Sequence, residues 1–194
     1  MSESLIVKRL ALGSAQFGLQ YGVANTVGRP TCREIKNIIV TAKNAGIDTL
    51  DTAVSYGESE RILGDIGVKD WEVVSKVRVP SNDGFDGDID NIYDQLRKSL
   101  SELNKKSLYG LLIHNSEVLT SKKQDRIYKV FRDLKDRGLC RKIGVSIYDP
   151  YLLDTILDKF EFDLIQAPYN IFDRRLVDSG WIDELVNRNT FPIP

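Results

Sequence analysis

The chain has 194 residues, 42% of them apolar, which is enough for one sizeable domain with a real core and hardly enough for two. Its 27 basic and 28 acidic side chains leave a net charge of -1, so no basic excess points to nucleic acid or to an anionic membrane surface. The two cysteines, Cys32 and Cys140, are far apart and have no CxxC partner, which suits a reducing compartment without a disulfide framework.

The N-terminal Met-Ser-Glu-Ser leads into a short apolar run broken by Lys8 and Arg9, too short and too charged for a signal peptide. No window approaches the ~20 apolar residues of a membrane span, and a soluble cytoplasmic protein is expected. Leu5 to Gly13 reads as a strand. Thr31 to Glu34 forms a capping box, and the apolar residues Ile35, Ile38, Ile39, Ala42 and Ala45 follow at helical spacing until Gly46 stops them. Ile47 to Ala53 is the next strand, Tyr56 to Ile66 a short helix and Trp71 to Val77 a third strand. A helix over residues 90–103 places Ile92, Leu96, Leu100 and Leu103 on one face. The near-continuous apolar run 108–114 is a fourth strand. A helix over 122–137 turns Ile127, Val130, Phe131 and Leu134 inward and ends at Gly138. Residues 142–147 form a strand, Asp149-Pro150 starts a helix with Asp as cap and Pro at the first position, 163–166 is a strand and 181–187 a last helix.

Six strands thus alternate with six helices. Strands apolar on both faces and joined by helices imply a parallel sheet with helices outside it. A doubly wound sheet would usually carry a glycine-rich phosphate loop after its first strand. Here Gly13-Ser14-Ala15-Gln16-Phe17-Gly18 lacks the GxGxxG spacing and leads into a turn-rich stretch. A barrel instead collects its reactive residues at the C-terminal ends of several strands. Those ends carry Asp51 with Tyr56 just beyond, Lys76, His114, Ser146 and Gln166.

Asp51, Tyr56, Lys76 and His114 make chemical sense as a proton-delivery set. A phenol is a poor acid at neutral pH, and a nearby ammonium is expected to favour its phenolate form. Asp51 would hold Lys76 charged, and His114, the only histidine, would position a carbonyl oxygen for protonation by Tyr56. Taken singly, each residue has a duller explanation: a cap, a packed ring, a rim charge, a hydrogen-bonded core histidine. Their convergence on successive strand ends favours the chemical one.

Asp51-Thr52-Ala53-Val54-Ser55-Tyr56-Gly57-Glu58-Ser59-Glu60, followed by Leu63-Gly64, resembles the signature of the aldo-keto reductases. Ser75-Lys76-Val77 is similar to the family's lysine strand, and Leu111 to Asn115 to its histidine strand. Ile143 to Ser146 and Gln166 to Asn170 resemble the segments whose serine and glutamine hold the nicotinamide carboxamide. Gly13 to Gly18 fits the first strand and loop. The resemblance runs in order along nearly the whole chain and implies a TIM (β/α)8-type barrel in a single domain over residues 1–194. It also implies NADPH-dependent reduction of an aldehyde or ketone, with Tyr56 as general acid and Lys76, Asp51 and His114 as helpers. Gly13, Ser14, Asp51, Ser146 and Gln166 are then the expected cofactor-binding residues.

NADPH is the expected cofactor, with NADH as the alternative, and a sugar-related carbonyl is one substrate class the resemblance suggests. Two features depart from the family. Ile147 stands where many members have an asparagine on the carboxamide. The chain also reads as about six of the eight βα units of a barrel that typically takes ~250 residues, stopping near residue 190 where a seventh strand should begin. Open sheet edges would then invite self-association. A catalytically impaired fragment, a non-catalytic binding or regulatory module of the same fold, and a Schiff-base lyase using Lys76 are the competing readings. One histidine and two distant cysteines give no metal-ligand spacing.

Overall fold

In the computed structural model, which describes residues 10–80 and 88–193, strands and helices alternate along the chain. The first half comprises β1 (Ala11–Gly13), α1 (Ala15–Gly18), α2 (Cys32–Asn44), β2 (Thr49–Asp51), α3 (Ser59–Ile66), β3 (Glu72–Val77) and α4 (Asp88–Glu102). The second half comprises β4 (Leu108–Ile113), a 3-10 turn (Ser116–Thr120), α5 (Gln124–Asp136), β5 (Cys140–Ser146) and α6 (Leu152–Leu157). It ends with β6 (Leu164–Gln166), α7 (Arg175–Asp178), α8 (Trp181–Asn187) and β7 (Phe191–Ile193). The seven strands form one parallel sheet in chain order.

Local sequence explains most of these elements. Thr31 Oγ1 accepts from the Glu34 amide and the Glu34 carboxylate accepts from the Thr31 amide, so both halves of the capping box are made. Ile35, Ile39 and Ala42 of α2 are buried, whereas Ile38 is half out in solvent at 38% exposure. All four inward residues expected of α5 are buried, as are Ile92, Leu96 and Leu103 on and after α4. Near α6, the Asp149 carboxylate accepts from the Tyr151 amide, but the helix itself begins at Leu152, two residues after Pro150. Residues 5–9 of the expected first strand lie outside the described residues.

Four elements depart from the sequence reading, among them the 3-10 turn (Ser116–Thr120) and the one-turn helix α7 (Arg175–Asp178), neither of which was expected. A one-turn helix, α1, occupies residues 15–18, which read as the loop after the first strand; four residues are too few to show a period. Among the described residues the strands number seven rather than six, because Phe191-Pro192-Ile193 pairs with β6. A proline inside a short run argues against a central strand, since it cannot donate to the ladder. Here β7 has a neighbour on one side only among the described residues, and that position tolerates it.

The sheet is curled. Strands lie ~4.8 Å apart, so β2 and β6, four positions apart, would be separated by roughly 19 Å in a flat sheet. Yet Gln166 Nε2 at the end of β6 donates to Asp51 Oδ1 at the end of β2 over 3.0 Å. The concave face holds a small apolar cluster of Val74, Leu112 and Leu164. The convex face holds the main core, where Val73, Val77, Leu111, Ile113, Ile143, Val145 and Ile165 pack under the helices. This is the wall of a (β/α)8-type barrel with its residues alternating in and out.

Two glycines let the layers close. A Cβ on Gly18 would stand 1.7 Å from the Tyr56 carbonyl oxygen, and one on Gly64 would stand 1.9 Å from that of Glu102. Replacing Gly64 with alanine should therefore destabilise the fold by ~1–3 kcal/mol from overpacking, despite alanine's better helix propensity. Urea denaturation checks this; an unchanged or raised midpoint would refute the close α3–α4 approach.

Candidate active site

Strand alternation aims the reactive side chains. Val74, Leu112 and Leu164 point into the concave face. Counting by two, the next inward positions towards the C-terminal strand ends are Lys76, His114 and Gln166. Asp51 and Ser146 are the last residues of β2 and β5, and Gly13 the last of β1, in register with Asp51. One mouth thus gathers residues from the ends of six strands that are far apart in sequence.

Lys76 is the centre of this mouth. It is 1% exposed, and its Nζ lies 2.8 Å from both Asp51 carboxylate oxygens. It also donates to the Thr52 carbonyl at 3.0 Å and to the Tyr56 hydroxyl at 3.1 Å. With its donors so engaged, the ammonium is held as a charge, and a Schiff-base role finds no support in this arrangement. The His114 ring meets the Tyr56 ring edge-on, with centroids 5.9 Å apart. Its Nδ1 is 3.1 Å from Ser55 Oγ. Ser55 went unremarked in the sequence reading; its only signal is its place beside Tyr56 in the signature string.

The electrostatics correct one expectation. Tyr56 was expected to be acidified by the lysine. Instead burial, and after it the Asp51 carboxylate, push the phenol above its ordinary value of 10.0. The reason is geometric: Asp51 sits so close to Lys76 that the pair presents little net positive charge to the phenol. Lys76 is itself lowered from 10.5 because burial outweighs the opposing pull of Asp51. His114 is lowered from 6.5, by burial first and then by the Lys76 and Arg78 cations. At neutral pH the tyrosine therefore keeps its proton and the imidazole is neutral.

The remaining expected residues fall on the same mouth with different engagements. Ser146 and Gln166 are register partners on adjacent strand ends. Ser14 is fully buried, its oxygens accepting from Ser59 Oγ, so its side chain acts as a clamp inside the loop. Nothing lies within 4 Å of where a Cβ on Gly13 would be. Ile147 is buried in the convex core and cannot replace the asparagine common at that position. Asn115 bridges to Val79 through both its side-chain atoms, a structural tie between the ends of β3 and β4. A cavity of about 470 Å³ lies at the opposite strand ends, lined by Lys135, Phe160, Asp163 and Arg188 among others. Its cations are engaged, Lys135 with Asp163 and Arg188 with Glu184. Among the described residues, no group of His, Cys, Asp and Glu is arranged to hold a metal ion, and no helix is long and apolar enough to cross a membrane.

The fold has relatives among known proteins. The model of the aldo/keto reductase family matches residues 9–193. The aldo-keto reductase YhdN of Bacillus subtilis is 26% identical over 152 residues, covering 73% of this chain and 45% of that protein. An uncharacterized oxidoreductase of the same organism, YqkF, is 27% identical over 149 residues, covering 72% and 48%. The chain thus spans about half the length of the curated relatives it matches. Among solved structures, the Pseudomonas aeruginosa protein PA4992, assigned to the aldo-keto reductases, superposes with a TM-score of 0.77 at 26% identity, covering 95% of this chain and 71% of that one. An aldo/keto reductase of Klebsiella pneumoniae, solved with NADP and acetate, shares the fold at a TM-score of 0.71 and 16% identity, covering 94% and 61%.

A single histidine makes the mouth's electrostatics measurable. NMR titration should place the His114 transition below 6.5, and Lys76→Met should raise it by removing a neighbouring cation. Because the folded value is depressed, the unfolded chain binds the proton more readily. The stability contributed by neutral His114 is full above 6.5 and is lost as pH falls from there towards the folded value. A wild-type transition at or above 6.5 would contradict this arrangement.

Proposed function

Since the chain belongs to the aldo/keto reductase family, we propose that its strand-end site reduces an aldehyde or ketone with NADPH. The observation that carries this is the buried Lys76 ammonium, bridging the Asp51 carboxylate at 2.8 Å and the Tyr56 hydroxyl at 3.1 Å. When bound, the reduced nicotinamide supplies a hydride to the carbonyl carbon. The oxygen then needs a proton, and Tyr56 gives up its phenolic one as the alkoxide charge develops.

Lys76, already donating to the phenol oxygen, steadies the negative charge left there. Asp51 keeps the lysine charged and aimed. His114 orients the substrate: when Ser55 donates to Nδ1, the ring's other nitrogen carries the proton and can donate to the carbonyl oxygen. The high phenol value suits the reductive direction, because the acid is fully loaded before the hydride moves.

The donor set fits a nicotinamide. A carboxamide needs an acceptor and a donor side by side, which the neighbouring Ser146 hydroxyl and Gln166 amide provide. Asp51 shares Gln166 through the 3.0 Å bond and so links the carboxamide residues to the proton site. Gly13 leaves its strand end open, and Ser14 shapes the loop behind it. The NADP held by the Klebsiella pneumoniae neighbour supports the same choice of cofactor, with NADH as the comparison to run. A cytoplasmic setting fits the two free thiols. Sugar-related aldehydes and ketones belong in the substrate panel.

Calorimetric titration with NADPH and loss of NADPH absorbance with a carbonyl panel test the proposal together. Tyr56→Phe should cut reduction by ~10²–10⁴-fold and leave cofactor affinity unchanged. Equal turnover by the variant would sink the assignment, and binding without carbonyl-dependent turnover would mark a binding module instead. Self-association is a separate expectation from the unpaired outer edges of β1 and β7 among the described residues. Sedimentation equilibrium should show mass rising with concentration, whereas a strict monomer would refute it.

A further inference from the structure

Glu60 is a buried acid outside the proton-transfer set. It sits on α3, four residues after Tyr56, and is 1% exposed. Its Oε1 accepts from Ser75 Oγ and from Ser99 Oγ, each at 2.6 Å, while its equally buried Oε2 has no partner. Both serines are fully buried, Ser75 on β3 and Ser99 on α4. The charged groups nearest it on α4 are Glu102 and Lys98, and across β3 stands Lys76. A carboxylate held by two hydroxyls and no cation is a costly way to fill a core, where an apolar side chain of similar size would serve stability better.

What the arrangement does is tie three elements to one atom. Ser75 and Lys76 are consecutive on β3, so they leave the strand on opposite faces. Ser75 turns outward to Glu60, and Lys76 turns into the mouth. Glu60 in turn belongs to the segment that carries Tyr56, whose carbonyl accepts from the Ser59 amide at 3.1 Å. The neighbouring Ser59 binds Ser14 and lies 3.3 Å from Thr52 Oγ1, which holds the same helix start to the ends of β1 and β2.

We propose that Glu60 is a positioning residue: by pinning Ser75 from the outer face of β3, it fixes where Lys76 stands relative to Tyr56 and Asp51. The significance of that place rests on the function proposed above, but the place itself is read without turnover. Lys76 is a cation close to the only histidine, so the His114 NMR titration of the full chain reports whether Lys76 has moved.

Three substitutions separate positioning from mere packing. Ser75→Ala removes the pin on β3 and should raise the His114 transition by more than half of the change caused by Lys76→Met. Ser99→Ala frees α4 and the longer 3.4 Å contact to Ser75 Oγ, but Ser75 keeps its 2.6 Å bond to Glu60, so His114 should titrate as in the parent. Glu60→Gln keeps an oxygen able to accept from both serines and should also leave it unchanged. If Ser75→Ala folds poorly, Ser75→Cys, with similar volume and a weak donor, gives the same reading. The proposal is overturned if the folded Ser75 variant titrates like the parent, if both serine variants shift His114 equally, or if Glu60→Gln shifts it as far as Ser75→Ala does. Failure here leaves the Tyr56→Phe result untouched, so the two ideas fall separately.

Discussion

A buried ammonium organises this molecule. Lys76 is almost wholly removed from water, and a lone charge in that position would be untenable without partners. Its three acceptors come from Asp51, Thr52 and Tyr56, all on the stretch that runs from the end of β2 towards α3. Satisfying one lysine therefore requires β2, β3 and the following loop to meet at a fixed height. The curled parallel sheet meets that requirement, because it brings the C-terminal ends of non-adjacent strands to one rim. Gln166 reaching Asp51 from four strands away is a direct mark of that curvature.

The same closeness sets the chemistry of the tyrosine. An isolated ammonium 3.1 Å from a phenol would make it a stronger acid. Asp51 cancels most of that effect while it holds the lysine in place, and burial then dominates. In the function proposed above, the phenol acts less as a strong acid than as a protected proton beside a cation that steadies the charge once the proton leaves. His114, neutral and edge-on to the ring, adds no second charge there.

Behind the rim, polar atoms in the convex layer hold the geometry. Serines 14, 59, 75 and 99, with Glu60, form buried contacts between strand ends and helices. Gly18 and Gly64 let those layers approach until backbone meets backbone. Several residues of the signature string are thus explained by packing: Ser59, Glu60 and Gly64 never reach the mouth, yet they fasten the segment that carries Tyr56.

The sequence by itself determined the alternation of strands and helices, the parallel sheet and the strand-end places of Asp51, Lys76 and His114, with Tyr56 just beyond. Those properties are local: apolar period, capping boxes, glycine stops and a contiguous string around Tyr56. The family resemblance also rests on them. The seventh strand and the one-turn helices α1 and α7 escaped, because three or four residues carry no period and Pro192 argues against pairing unless its position in the sheet is known. Tertiary structure alone decided that Ser55 would meet His114, that Gln166 would meet Asp51, and that Ser14 would be spent on Ser59. It also decided the direction of the Tyr56 shift. Each of these depends on distances and burial between segments far apart in the chain, and such quantities exist only once the sheet has curled and the helices have packed against it.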